Sequence, residues 1–418
     1  MLEIELEAYI VDACRTPRGI GKVGRGALAH FHPQHLGATV LAGLRERNGI
    51  DTGAVDDIIW GTSSQRGAQG SDLGRMAALD AGYDVKASGI TVSRFCGSGI
   101  SSVSLAAAQV IAGMEDVVIA GGTEMMSYTS STVDPKKPTM MDAGNMRLRA
   151  KHPQSQQGVC ADAIATLEGI TREDVDALAL ESQRRAEIAI KDGRFDNALV
   201  PVFNEDGTLA LDKEEFPRPQ TTAEGLAGLK TVFNMFMDVE VDDQGNTYGS
   251  LVTQKYPELN GKMNHVHHAG NSSGVVDGAA ALLLASEDAV KTNKWTPRAR
   301  IVATANMGDC PTLMLNAPVP AARKVLQKAG LTTDDIDVWE INEAFAVVAE
   351  RTIRHLELDR EKVNINGGAM ALGHPIGATG SILIGTALDE LERVGGKYGL
   401  VTMCAGGGMA PAIIIERL

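Results

Sequence analysis

The chain has 418 residues, too many for one ordinary hydrophobic core, so two domains or two fused halves are expected. Its composition is that of a globular protein, 44% hydrophobic and 22% charged, with 46 glycines. A net charge of −14 and an aromatic content of 4% argue against a nucleic-acid partner, because neither a phosphate backbone nor stacked bases would be well served. Five scattered cysteines, Cys14, Cys96, Cys160, Cys310 and Cys404, include no CxxC pair, which suits a reducing compartment, the cytoplasm, and predicts no metal site. No apolar run reaches membrane-spanning length, so no membrane association is expected.

A first strand is predicted over Leu6–Ala13, in a strand pattern that begins by Ile4. Arg18–Gly24 contains GxGxxG spacing, but the glycines lead into a stretch interrupted by Pro33. A glycine loop is therefore expected there, not a dinucleotide site. Helices are predicted over Gln34–Asn48, ended by Gly49, and over Asp72–Ala81. Strands are predicted over Asp57–Trp60 and Asp116–Ala120.

Between these, SRFCGSGISSVSLAAAQVIAG at 93–113 places Cys96 in front of Gly97-Ser98-Gly99 and a small-residue helix. A thiol at a helix N-terminus is expected to have a lowered pKa and to be nucleophilic, and the glycines leave backbone N–H groups open to an oxygen. A buried structural cysteine is the competing reading.

From Met125 the texture changes. Ser127–Pro153 is polar, Ile170–Lys191 is one long helix opened by Thr171 with Asp174 three residues on, and Phe203–Gly261 is acidic and irregular. Regular structure resumes near His268, with a strand over Ala279–Ala285. His265-x-His267-His268 lacks thiols or carboxylates at metal spacing in the sequence.

The second half then repeats the first. Gly49-Ile50-Asp51 resembles Gly330-Leu331-Thr332, Val118 falls on Gly399 and Gly99 on Gly380, always 281 positions apart (330 less 49). At that offset Cys96 falls on Gly377, beside His374. Two similar α/β halves presenting mirrored glycine loops to one site are expected, a thiol facing an imidazole. Cys404, before Gly406-Gly407-Gly408, and Asn342 and Glu343, between apolar stretches, are further candidates. Asn342 is either a helix N-cap or the holder of a water or a carbonyl.

Together RFCGSG around Cys96, AGNSSGVVDGAA at Ala269–Ala280, NEAF at Asn342–Phe345, NINGGAMALGHPIGATG at Asn364–Gly380 and CAGGG at Cys404–Gly408 resemble the thiolases, acetyl-CoA C-acyltransferases, over nearly the whole chain. The resemblance implies a five-layered αβαβα fold: an N-terminal half over residues 1–126 completed by 268–293, an inserted loop domain over 127–267, and a C-terminal half over 294–418. It implies that Cys96 carries the acyl group, that His374 is its base, that Cys404 exchanges a proton with the α-carbon of acetyl-CoA, and that Asn342 holds a water at the enolate oxygen. Cys96, Gly406 and His374 would form the oxyanion sites. Arg218, Phe233, Ser273, Ala344 and Phe345 would contact CoA. CoA would be a substrate, with no tightly bound cofactor, and the assembly a homodimer or homotetramer.

The activity implied is CoA-dependent cleavage of a 3-ketoacyl-CoA to acetyl-CoA and a shortened acyl-CoA. The alternatives are condensation of two acetyl-CoA to acetoacetyl-CoA and a non-catalytic CoA-ester binding protein. The chain departs from the family at Gln156-Gln157, where a His-Met pair is usual, in a longer Asn234–Asn264 stretch, and at Ala410-Pro411, where the proline is expected to stiffen the turn after Cys404.

Overall fold

A computed structural model describes residues 7–132 and 140–418, so Ile4 and Leu6 lie outside the described residues. The first stretch contains β1 (Tyr9–Arg15), β2 (Gly19–Ile20), α1 (Pro33–Asn48), β3 (Asp57–Gly61), α2 (Leu73–Asp80), β4 (Ile90–Val92), α3 (Ser98–Ile111), β5 (Val117–Met125) and α4 (Met126–Ser131). It is followed by α5 (Met146–Lys151), α6 (Gln157–Glu168), α7 (Arg172–Lys191), the hairpin strands β6 (Val202–Phe203) and β7 (Leu209–Leu211), α8 (Ala223–Ala227) and α9 (Tyr248–Lys255). The chain ends with β8 (Val276–Ala285), α10 (Glu287–Asn293), β9 (Ala299–Gly308), α11 (Pro318–Ala329), β10 (Val338–Ile341), α12 (Ala346–Leu356), α13 (Ala369–Leu372), α14 (Ile376–Val394), β11 (Tyr398–Thr402) and β12 (Met409–Arg417).

The local signals explain these bounds. Gly49 takes a left-handed φ of 59° and closes α1. Thr171 and Asp174 form the capping box that opens α7. The glycines after Arg18 lie in β2 and turns, and no helix opens before Pro33. The 203–261 stretch is less irregular than expected: it holds β7, α8 and α9, the last with a Thr247–Ser250 capping box.

The strand order is β10-β11-β12-β9-β1-β8-β5-β3-β4. Read outward from the centre, β1-β8-β5-β3 on one side mirrors β9-β12-β11-β10 on the other. The 281-residue offset maps β3 onto β10 and β5 onto β11, and sets α3 against α14. The halves meet through two antiparallel pairs, Tyr9–Arg300 and Ile10–Ala299. In each half the mapped strands run parallel.

Side-chain alternation then builds layers. Val118, Leu282 and Ile413 face one shared core with Ile100 and Val103 of α3 and Ile384 and Leu388 of α14. Their neighbours Ile119 and Leu283 face Leu36 and Leu41 of α1, and Ile414 faces Val325 of α11 and Ile353 of α12. The result is α1/α2, sheet, α3/α14, sheet, α11/α12, an αβαβα stack with the two mirrored helices buried in the middle. Those helices touch at the mapped glycines. A Cβ on Gly99 would stand 2.6 Å from Ser381 N, and one on Gly380 would stand 2.2 Å from Ile100 N. Only glycine permits that approach, and it brings the N-termini of α3 and α14 to one place.

Candidate active site

Cys96 lies in the turn that enters α3 and is 7% exposed. Phe95 before it has φ of 50°, strained for an aromatic residue. Ser98 holds the turn: its hydroxyl donates to Phe95 O at 2.6 Å and accepts from Arg94 N–H at 2.9 Å. Cys404 follows β11 and Asn342 follows β10. These strands are parallel neighbours, so both residues leave the sheet on the same edge, with Asn342 N–H donating to Thr402 O at 3.2 Å. Beyond Cys404, Ala405 pairs with Met409 around Gly407 and Gly408, at φ of 79° and 76°. The Gly406 N–H and the N–H of Cys96 itself are directed at the Cys96 sulfur. Charge on Cys96 acts on Cys404, so the two thiols are neighbours.

His374 stands before α14. Its Nδ1 is 2.6 Å from Thr379 Oγ1, whose own proton goes to Pro375 O at 2.9 Å. Thr379 therefore accepts, Nδ1 carries the hydrogen, and Nε2 keeps its lone pair. Asn342 Nδ2 donates to that Nε2 at 3.4 Å, while Asn342 Oδ1 is buried without a partner among the described residues. Asn342 is not a helix cap, since Phe345 fills that position for α12. Glu124, near the end of β5, ties the loop after β3 to the start of α14. Its carboxylate accepts from Ser63 N, Gln69 Nε2 and Gly377 N at 2.8–2.9 Å, and its charge acts on Cys96.

The electrostatics correct one expectation. The helix N-terminus does not lower the Cys96 pKa below its ordinary value. Burial, then the charge of Glu124, pushes the thiol up to about 12, and the two N–H groups at the sulfur only partly oppose this. Burial, then the neighbouring Cys96, raises Cys404 well above its ordinary value, and burial holds His374 down at about 3. The resting site is thus two neutral thiols and a neutral imidazole. A thiolate forms only as a base takes its proton.

The other candidates gather on one side. Phe233 stacks over Gly158 and lies edge-on to Phe345, ring centroids 5.4 Å apart. Ala344, Phe345 and Cys404 share that apolar cluster. Ser273 N donates to Ala344 O at 3.0 Å. Arg218 lies 5.6 Å over the Phe216 ring, at a cavity of about 200 Å³ lined by Gln183, Thr221, Leu226 and Gly270.

Residues 8–236 match the family described as "Thiolase, N-terminal domain" and residues 295–417 match "Thiolase, C-terminal domain". The chain belongs to the thiolase family. It is 40% identical to the steroid 3-ketoacyl-CoA thiolase FadA6 of Mycobacterium tuberculosis, over 99% of this chain and 94% of that protein. It is also 40% identical to a beta-ketoadipyl-CoA thiolase of Acinetobacter baylyi (98% and 99%) and to an acetyl-CoA acetyltransferase of Escherichia coli (98% and 98%). The crystal structure of human mitochondrial 3-ketoacyl-CoA thiolase in complex with CoA superposes with a TM-score of 0.83 at 34% identity, over 99% of both chains. The protein is therefore an acyltransferase of the thiolase type.

Several features of this thiolase were not singled out from the sequence. Thr379 fixes the His374 tautomer, Glu124 ties the loop after β3 to the start of α14, and Ser272 has a buried hydroxyl with no partner among the described residues, beside Phe345. A small residue beside a histidine, or an acid at a strand end, carries no sequence signal of its partner. Gln156 is used as a helix cap, accepting from Gly158 N and Val159 N at 2.6 and 3.1 Å.

Pro411 does not stiffen the turn, as the sequence suggests; it lies inside β12, where the β11 ladder has already ended at Thr402–Ala412. Its ring would stand 2.7 Å from a Cβ on Gly97 and so backs the nucleophile turn. The histidine triplet is structural: His265 and His267 each bond Asp162 at 2.7 Å, and His268 bonds Asp176 at 2.8 Å. Among the described residues no group of side chains is placed to hold a metal, and none of their helices is long and apolar enough to cross a membrane.

Proposed function

We propose that this thiolase cleaves 3-ketoacyl-CoA with CoA through an acyl thioester on Cys96. One arrangement carries the reading: two neighbouring thiols, with two backbone N–H groups directed at the Cys96 sulfur, and a buried, neutral imidazole at the start of α14, which packs against the α3 that Cys96 enters. Cleaving a C–C bond next to a ketone needs a nucleophile, an acid for the leaving carbon and a site for each charged oxygen.

Cys96 adds to the 3-keto carbon as His374 Nε2 takes its proton, and the oxyanion rests on the N–H groups of Cys96 and Gly406. The bond between the α-carbon and the keto carbon breaks. The acetyl-CoA enolate, its oxygen facing His374 and a water on Asn342, is protonated by Cys404. CoA then attacks the Cys96 thioester and gives its thiol proton to Cys404, while His374 returns its proton to Cys96. Both thiols are restored, and acetyl-CoA and the shortened acyl-CoA are released.

Arg218, among the described residues the only cation lining the 200 Å³ cavity, suits the nucleotide phosphates of CoA, and Ser273, Phe233, Ala344 and Phe345 suit its pantetheine arm. The surface over Gly406, next to the proposed acyl carrier Cys96, is apolar. The Met141 methyl and the Phe95 ring lie 2.5 and 3.2 Å from a Cβ built on Gly406. This favours hydrocarbon chains, as in acyl-chain β-oxidation, over carboxylated ones.

Condensation of two acetyl-CoA uses the same groups in reverse, and the E. coli acetyltransferase is as similar as the cleaving relatives. Loss of thioester absorbance at saturating CoA across a 3-ketoacyl-CoA chain-length series tests the reading. The expected result is turnover rising with apolar chain length, abolished in C96S. Condensation alone, or turnover persisting in C96S, would contradict it; no turnover at any length would leave a CoA-ester binding protein.

We further assign residues 127–267 to a loop domain over the site, between an N-terminal half (1–126 with 268–293) and a C-terminal half (294–418). Five free cysteines and no disulfide support a reducing, cytoplasmic location. The edge strand β4, with exposed Ile90, Leu105 and Met114 on and near it, supports pairing into a homodimer or homotetramer. A single 44 kDa species in sedimentation would exclude that assembly.

A further inference from the structure

Behind the Asn342–His374 pair lies a second, closed group of polar atoms. Glu340 is on β10, two positions before Asn342, so the two side chains share a face of the extended chain. Glu340 is 1% exposed, and neither carboxyl oxygen has a partner among the described residues. Asn342 Oδ1 is likewise buried and unpartnered. Both residues line one cavity of about 10 Å³, room for a single water, whose walls also include Arg18, Gly368 and Thr379. Three orphaned polar atoms around one water-sized space is rare, because each buried unpaired group costs about 1–3 kcal/mol.

We propose that Glu340 is a positioning residue for the oxyanion site: as a carboxylic acid it donates to one enclosed water, which donates in turn to Asn342 Oδ1. This contact decides which way the Asn342 amide faces. With Oδ1 held to the rear, the NH2 end points at the lone pair of the resting His374 Nε2 and at the water that faces the enolate oxygen. Rotated by half a turn, the same amide would turn an oxygen on that lone pair and repel it. The inference rests on the role given to Asn342 above.

The surroundings keep Glu340 protonated. Burial is the main cause, the charges of Glu343 and Glu390 add to it, and Arg18 opposes them weakly because its guanidinium is engaged by Glu214 at 2.9 Å. Neither partner charge is free to approach: Glu343 is held by Ser182 and Asn364, and Glu390 by Asn366 and Arg393. An ionised Glu340 could donate nothing, so the water's oxygen would lose the donor that holds it and the water would sit less firmly against Asn342 Oδ1.

The test is thiolysis by E340M and E340Q, each made also in an N342A background. E340M is expected to lower kcat about tenfold or more with KM for CoA unchanged, as for a misplaced catalytic group. E340Q, whose amide still donates to the water, is expected to restore most of that loss. In N342A, E340M should cause no further loss. Full activity in E340M, equal losses in E340M and E340Q, or the same loss in the N342A background would overturn the proposal.

An infrared difference spectrum of wild type against E340Q is independent of catalysis and of whether E340M folds. A protonated-carboxyl carbonyl band is expected to vanish, and loss of carboxylate bands instead would overturn the proposal. Absence of thiolysis by the wild-type chain would defeat the reading of the site, and the infrared result would then decide the state of Glu340 alone.

Discussion

At residue 374 an imidazole is kept neutral inside the protein, and acid should expose the cost. Its pKa is held at about 3 by burial, against about 6.5 in an unfolded chain. The unfolded state therefore binds a proton below pH 6.5 that the folded state refuses until pH 3. His374 contributes a loss of stability of about 1.4 kcal/mol per pH unit as pH falls through that window, and none above it. Urea unfolding of H374N between pH 6 and 4 should show a shallower acid slope than wild type by that amount. Equal slopes would mean that His374 is already charged. The histidine itself was legible from its Gly-His-Pro loop and its place in the repeat. What burial does to it was not, because desolvation depends on every neighbour at once. The same holds for Cys96, whose helix N-terminus argued for a lowered pKa that burial overrides.

At the scale of elements, the claim concerns the crossing of α3 and α14. Gly99 and Gly380 let two backbones pass where any Cβ would collide with backbone atoms. Backbone cannot move aside as a flexible side chain can, so Gly99→Ala and Gly380→Ala should each destabilise by about 1–3 kcal/mol and depress turnover by splaying the two N-termini. Gly308→Ala, with open space around its Cβ, should change stability by less than about 0.5 kcal/mol. Thermal melts of the three variants check this, and an unperturbed Gly99→Ala would refute the close crossing. The repeat was legible because glycine recurs at mapped positions. The helix α6 was not, because Gly158–Ala165 is small and buried all round, which erases periodicity. The helix α9, eight residues within an acidic stretch, was likewise hidden.

For the whole molecule, the ordered motifs made the αβαβα layers legible and pointed to the loops at the starts of α3 and α14 as the proposed site. Pseudo-symmetry explains why: each half delivers its central helix to the same point, so residues 96 and 374 could be related before any coordinates. The partners of the buried polar groups could not be read in this way. Glu124 and Glu340 act through contacts that cross between the halves or run behind the sheet edge, and Thr379 through a local hydroxyl whose direction only the folded turn sets.

The account's central claim is that one site holds two thiols with separate duties. The most direct measurement is C404A incubated with acetyl-CoA in deuterated water, read by mass spectrometry of both protein and CoA ester. The account predicts an acetyl group on Cys96 with exchange of the acetyl-CoA α-protons slowed by about a hundredfold or more. Normal exchange in this variant, or an acetyl group on any residue other than Cys96, would contradict it.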